Sequence, residues 1–575
     1  MIGALLGVAL VVASGTSPPR HKYPKPGSVP VAEKPFSYDF SQPQRIEVGG
    51  TGPTRVTALH QVPMPVWGYG ILLVSIDNST GPSQTLRLRY QSTAGGGQRS
   101  VERAVELRAG ERQQLALPIP AGMRYGKLVA RGAGIQNATE PGVYFTYAYR
   151  PQRIVLSIGS PEEFEKVAGQ RPVNTDPAVL VTPIAPQDAP SELAGYVGYD
   201  AVAVSSGPIE SLPPHAQRAL EAYAATGGVL ILGEVGRGTA ELLPLLGVAQ
   251  SSGGVRDYGF GSVSMDQTPG QREALYFSAE PVVNPQGVRP SYSRRGFGNG
   301  AGVDDVLLPQ ALAPLGRFMI IIVLFTLAIG PGSWWVAKKR GPGALLVTIP
   351  ATAFVTCGLI IGYSLIRDGF TVHASVHGYS LLDAPRNRVI TSAVGAFYAN
   401  LAPSKAVFPS STAIIAPWEQ NVEGQQASIT WGEGARFGSD FLPSRSYREW
   451  AVLGVEPTRA RLVLKQDGEA LKVQNALGSR IAVVRVTWHG QDWEAHNLRD
   501  GGEAKLEKAT QSGPPDLEPK ASGRFDSDAQ LRARGGVIAD GEFVALLEGP
   551  AFAPLGGLSL SQHESAHVVR GAVTQ

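Results

Sequence analysis

A single cysteine, Cys357, stands in a chain of 575 residues. One thiol excludes an intramolecular disulfide and a cysteine zinc cluster, and its position inside an uncharged apolar run excludes an exposed thiol nucleophile. Net charge is equally scarce. Lys and Arg total 51 against 48 Asp and Glu, a formal +3, so no global field draws the chain to nucleic acid. Histidine is rare as well, with 9 in all and none between His215 and His373. No tandem repeat is apparent.

Glycine (69) and proline (45) are abundant, yet 43% of the residues are hydrophobic. That mixture suits many short strands joined by turns, and a chain of this length needs several cores. The fold class expected is multidomain α+β: a β-sandwich, an α/β module, a two-helix transmembrane hairpin and a C-terminal β-sandwich-like domain.

The hairpin is the plainest feature. Residues 318–337 and 343–366 carry no charge, and each is long enough at 1.5 Å per residue to approach the ~30 Å of a hydrocarbon core. Gly330, Pro331 and Gly332 should kink the first helix, and Trp334 and Trp335 suit an interfacial belt. Between the runs lie Lys338, Lys339 and Arg340, a basic turn that the positive-inside rule assigns to the cytoplasm. The expected place is therefore the bacterial cytoplasmic (inner) membrane, with the soluble domains on the extracytoplasmic side and the lipid bilayer as a partner.

Residues 1–16 read as a signal peptide or N-terminal anchor, with Ala13, Ser14 and Gly15 near a cleavage site but no basic residue ahead of it. A Pro-rich linker covers 17–43. Alternating apolar residues over 44–150, as in Leu86, Leu88 and Tyr90 with Arg87 and Arg89 between them, predict an immunoglobulin-like sandwich. Over 151–290 apolar strand runs alternate with a helix at 213–226, which Pro213 and Pro214 open and Gly227 ends. A linker at 291–317 precedes the hairpin; its run from Gly296 to Gly302 reads as flexible chain and not as a phosphate cradle. Residues 367–575 return to strand patterns, with a loop near 507–527.

Within the α/β module, residues 199–208 (YDAVAVSSGP) and 228–234 (GVLILGE) resemble strands of the class I glutamine amidotransferase-like fold. The resemblance covers about 90 residues, and the whole layout is similar to uncharacterised bacterial envelope membrane proteins that carry such a module. It implies a cysteine nucleophile at the strand-to-helix elbow and a later histidine. Gly233 or Glu234 stands at the elbow instead, and no histidine follows, so a degenerate module without catalytic residues or cofactor is expected. The crevice at the carboxyl ends of its strands would be lined by Ser205, Ser206, Gly207, Gly233 and Glu234, a binding site for a partner loop or a small polar ligand.

One motif points to metal. His563 and His567 match H-E-x-x-H, which on a helix presents two imidazoles to zinc. Gly556 and Gly557 upstream and the strand-like run after His567 favour extended chain instead, in which the two lie about 13 Å apart and cannot share an ion. The function expected is a non-catalytic, membrane-anchored envelope protein that binds an envelope or membrane protein or another envelope component. The alternatives are a zinc-dependent or serine hydrolase and a subunit of a membrane transport or assembly complex.

Overall fold

A computed structural model of the chain describes residues 38–40, 43–48, 51–65, 67–92, 98–136, 138–146, 153–168, 179–243, 254–265, 307–308, 315–368, 371–415, 427–468, 470–510 and 538–575. The segment expected to be a signal or anchor lies outside these residues, as do most of the two linkers, the run 296–302 and most of the loop near 507–527. The chain is mixed α+β and mostly strands, gathered in several sheets.

Alternation builds the first two layers. In Gln84–Ser92 the side chains of Leu86, Leu88 and Tyr90 are buried while Arg87 and Arg89 are exposed. This strand pairs with Arg99–Leu107 and Tyr125–Arg131, and Gly142–Tyr144 extends the sheet. A second sheet orders Gln44–Val48, Arg55–His60, Tyr69–Asp77 and Arg112–Pro120. Its inward Val56, Ala58, Leu72 and Val74 share one core with Leu86, Leu88 and Tyr90, each fully buried apolar side chain contributing about 1.5–3 kcal/mol.

The α/β sheet follows. Five strands run parallel in the order Val179–Ile184, Arg153–Ile158, Ala201–Pro208, Val229–Glu234 and Gly261–Met265. Tyr38–Phe40 joins one edge in parallel, and Gly254–Tyr258 closes the other antiparallel. The runs are apolar on both faces because the sheet is covered on both, the usual state of parallel strands. Helix Pro214–Ala225 buries Ala216, Ala219, Leu220 and Tyr223, and the Tyr223 hydroxyl donates to the carbonyl of Tyr199 at 3.0 Å.

Two apolar helices come next. The first runs as Leu315–Leu327, passes through a π-turn at Ala328–Gly332 that contains Pro331, and resumes as Ser333–Arg340. The missing N–H of Pro331 accounts for the widened turn at the kink the sequence predicts. Gly341, at φ +85°, ends it, and Leu345–Asp368 returns. Thr348, Thr352 and Thr356 each donate to the carbonyl four residues back, so their hydroxyls are satisfied within the helix. Leu346 and Phe354, on other faces, are 82% and 80% exposed. Both helices are long and apolar enough to cross a membrane.

Beyond the hairpin the chain rebuilds on what came before it. Val372–Asp383, Arg388–Ala399 and Ser446–Pro457 lie side by side near one edge of a ten-stranded sheet. At one end these strands bury Val376, Phe397 and Trp450 in the core already described; at the other, Leu382 and Val389 enter a second core with Leu464, Val473, Val484 and Phe543. Ala427–Trp431 pairs in parallel with the edge of the N-terminal sandwich, Ala427 opposite Arg99 and Trp431 opposite Arg103. The indole N–H of Trp431 donates to the carbonyl of Pro118 at 3.0 Å, and the Tyr69 hydroxyl donates to that of Ile414 at 2.6 Å. The soluble segments on either side of the hairpin are thus parts of one unit, Phe36–Gln575.

An ionic clamp ties the α/β module to the long strands. Arg388, largely buried, reaches Glu221 of the helix at 2.6 Å and Asp383 at 2.9 Å, and its other guanidinium nitrogen donates to the Tyr258 hydroxyl at 3.4 Å. Removing one member of such a group strands the others in a poorly solvated place. Arg388→Ala is therefore expected to lower unfolding free energy by about 3–5 kcal/mol in denaturant titrations. A loss below about 1 kcal/mol, the range of an exposed pair, would show that the clamp carries no load.

Candidate functional site

The sheet order changes direction between Arg153–Ile158 and Ala201–Pro208, because the chain steps outward to Val179–Ile184 on one side and then fills the other. Open α/β sheets place ligands at this point, outside the carboxyl ends of the strands. Here that position is occupied by the chain's own groups. Ser205 Oγ donates to the carbonyl of Ile158 at 3.2 Å and lies 3.1 Å from Ser157 Oγ. Ser206 Oγ donates to the carboxylate of Glu163.

Glu163 closes the adjoining helix, Pro161–Ala168, as a capping box. Its backbone N–H donates to Ser160 Oγ at 3.2 Å, while its carboxylate accepts from the Ser160 N–H at 3.2 Å. Gly159, at φ +144°, permits the approach: a Cβ there would stand 2.2 Å from Ser206 Oγ and 2.4 Å from Ser205 Oγ. Glu210 performs the same service one strand along, accepting from the Gly238 N–H at 3.1 Å and Thr239 Oγ1 at 3.0 Å. Carboxylates already fill the positions an anionic ligand would seek, which disfavours a phosphate here.

The five residues predicted to line the crevice do come to neighbouring strand ends, with Pro208 opposite Glu234 across a register shift. Their chemistry divides. Ser205 and Ser206 are turned toward Arg153–Ile158 and the capping box, Gly207 bends the strand end at φ +71°, and only Glu234 and the following Val235 are exposed. Gly233 is half-buried and Glu234 ends the strand Val229–Glu234. Sequence reading missed Ser157, Ser160, Glu163 and Glu210, although the S-x-x-E spacing at 160–163 was a legible signal.

No family model matches the chain, and no curated protein matches it.

His563 and His567 are not on a helix. Leu560–Gln562 and Ala566–Ala572 are strands, His563 lies in the break between them, and His567 is fully buried with Nε2 2.8 Å from Ser380 Oγ. His563 pairs instead with His373, its Nε2 2.9 Å from the Nδ1 of that ring. Among the described residues no group of three or more His, Cys, Asp or Glu side chains is placed to hold a metal ion. Lys338, Lys339 and Arg340 form the last turn of the first apolar helix, where cations suit the helix dipole, and Lys339 Nζ lies 3.8 Å from the Trp335 ring centre.

Burial, reinforced by nearby His377, pushes the His567 imidazole down from 6.5 to about 3. Above pH 6.5 the ring is neutral in both folded and unfolded chains and the shift changes nothing. Below 6.5 the unfolded chain binds a proton that the native one refuses, so stability falls as pH drops toward 3. Unfolding followed at pH 7, 6 and 5 should show this loss, approaching about 1.4 kcal/mol per pH unit, and His567→Gln should flatten it. An unchanged acid slope in the variant would contradict the assignment.

Proposed function

We propose that this protein is a non-catalytic, membrane-anchored protein of the bacterial envelope, which presents one rigid, β-rich body to a partner protein or envelope component. The observation that carries this reading is the parallel pairing of Ala427–Trp431 with the strand Arg99–Leu107. Main-chain hydrogen bonds join residues before and after the two apolar helices, so a hairpin inserted in a bilayer has both soluble regions on one side. The basic turn Lys338, Lys339 and Arg340 favours the outer face of the cytoplasmic membrane for that body.

Among the described residues of the α/β module, the engagement of the strand-end serines within the chain supports a binding role. Its kinship with amidotransferases would leave the sheet and not the reaction, because Ser205 and Ser206 are committed to internal bonds and Gly233 offers no nucleophile. Exposed Glu234 and Val235 remain as the part of the crevice that a partner loop can reach.

Reporter fusions test the arrangement. An export-dependent reporter is expected to be active after residue 250 and after residue 450, and a cytoplasmic one after residue 341. A cytoplasmic signal at 450 would refute it. Mild-detergent copurification is expected to retain a stoichiometric partner that Glu234→Arg weakens.

A further inference from the structure

The second apolar helix ends at Asp368, and the strand Val372–Asp383 begins four positions on. A fully extended chain covers at most about 3.6 Å per residue, so Val372 lies within about 15 Å of the helix end. The register identifies the residues that share this end. Val372 is opposite Ala399 on one side and Leu560 on the other, and Ala399 is opposite Ser446. The chain leaves Arg388–Ala399 and enters Ser446–Pro457 here, so segments 400–405 and 443–445 both lie past the strand ends, on the side from which the helix arrives. They are tied together. The Ala402 N–H donates to Ser444 Oγ at 2.8 Å, and the Arg445 N–H donates to the carbonyl of Ala399 at 2.6 Å.

This rim differs in chemistry from the opposite end of the same strands. Leu401 is 57% exposed, and Lys405 and Arg445 in the two tied segments are exposed as well. No Asp or Glu occurs in 400–405, 443–448 or 555–562. One register position further in, His373, Tyr398 and Tyr447 lie side by side, each half-buried. At the far end, by contrast, Arg386 and Arg388 are neutralised by Asp383 and Glu221.

We propose that this rim rests on the bilayer that holds the two helices, with Leu401 at the boundary of headgroups and acyl chains and with Lys405 and Arg445 on the phosphates of anionic lipids. This contact presupposes the membrane anchoring proposed above. Exposed apolar area flanked by long cationic side chains suits the interface, where the one is withdrawn from water and the others meet anionic headgroups. Rings with an apolar body and a polar tip suit the layer beside it. The short connector supplies the remaining condition: a rim held within about 15 Å of the helix end meets lipid at a high effective concentration, so contacts too weak to recruit a free protein are sufficient. The contact would set the tilt of the whole body. With twelve residues in Val372–Asp383, the far end stands roughly 35–40 Å along the sheet.

Full-length protein carrying Cys357→Ser can be reconstituted in vesicles of phosphatidylcholine, alone or mixed with phosphatidylglycerol. A nitroxide is placed at Ser404→Cys or, at the far end, at Arg459→Cys, both exposed positions. Paramagnetic resonance then compares collisions with oxygen, which concentrates in lipid, and with a water-soluble nickel chelate. In the mixed vesicles the oxygen-to-nickel ratio at 404 should exceed that at 459 severalfold, and it should fall in phosphatidylcholine alone. Leu401→Asp, and Lys405→Glu combined with Arg445→Glu, should each lower it toward the value at 459. Equal ratios at 404 and 459 in protein that floats with the vesicles would overturn the rim contact, as would a ratio at 404 that neither lipid charge nor these substitutions change. Protein that floats with neither kind of vesicle would overturn the anchoring itself, and the rim contact with it.

Discussion

The parallel ladder between Arg99–Leu107 and Ala427–Trp431 is the constraint on which the rest of the structure depends. It joins strands more than 300 residues apart in sequence, and the apolar helices lie between them. Backbone groups cannot hydrogen-bond through a hydrocarbon layer, so the ladder and a membrane-inserted hairpin coexist only when the chain crosses an even number of times between its two halves. The contacts around it reinforce the joint. Trp431 seals against Pro118 and Tyr69, and Leu193 donates its N–H to the carbonyl of Ser410 at 2.9 Å.

From that joint the other features follow. The long strands 372–383, 388–399 and 446–457 run through two cores, so the C-terminal layers are held at one end by the N-terminal sandwich and the α/β module. Arg388 then locks the module's helix to the same strands. A module held on several sides needs no open crevice for its own stability, and at its switch point the available polar groups satisfy one another: Ser205 with Ile158, Ser206 with Glu163, Glu210 with Gly238 and Thr239.

What the sequence revealed was what local chemistry determines. The alternation Leu86, Leu88, Tyr90 is visible because one face of that strand meets water, and the helix at 214–225 because proline opens it and glycine follows it. The kink at Pro331 follows from a missing donor. The joint was illegible, since nothing in Ala427–Trp431 names Arg99 as its neighbour, and parallel pairing depends on closing a very long loop. The same applies to His373 and His563, which stand 190 positions apart. The local H-E-x-x-H spacing drew attention to His567, whereas the fold gives His563 a different companion.

The segments before and after the two apolar helices share one body, and a cross-link tests this most directly. Glu102 and Thr430 are directly opposed on the outer face of the joint, and neighbouring strands at about 4.8 Å fall within the reach of a disulfide. In a Cys357→Ser background, with Glu102→Cys and Thr430→Cys combined, mild oxidant applied to intact membranes should form an intramolecular disulfide. Cleaving the chain between the two positions should then leave the fragments joined until reduction. Fragments that separate without reductant, in protein shown to be folded, would contradict the shared body and the even crossing inferred from it.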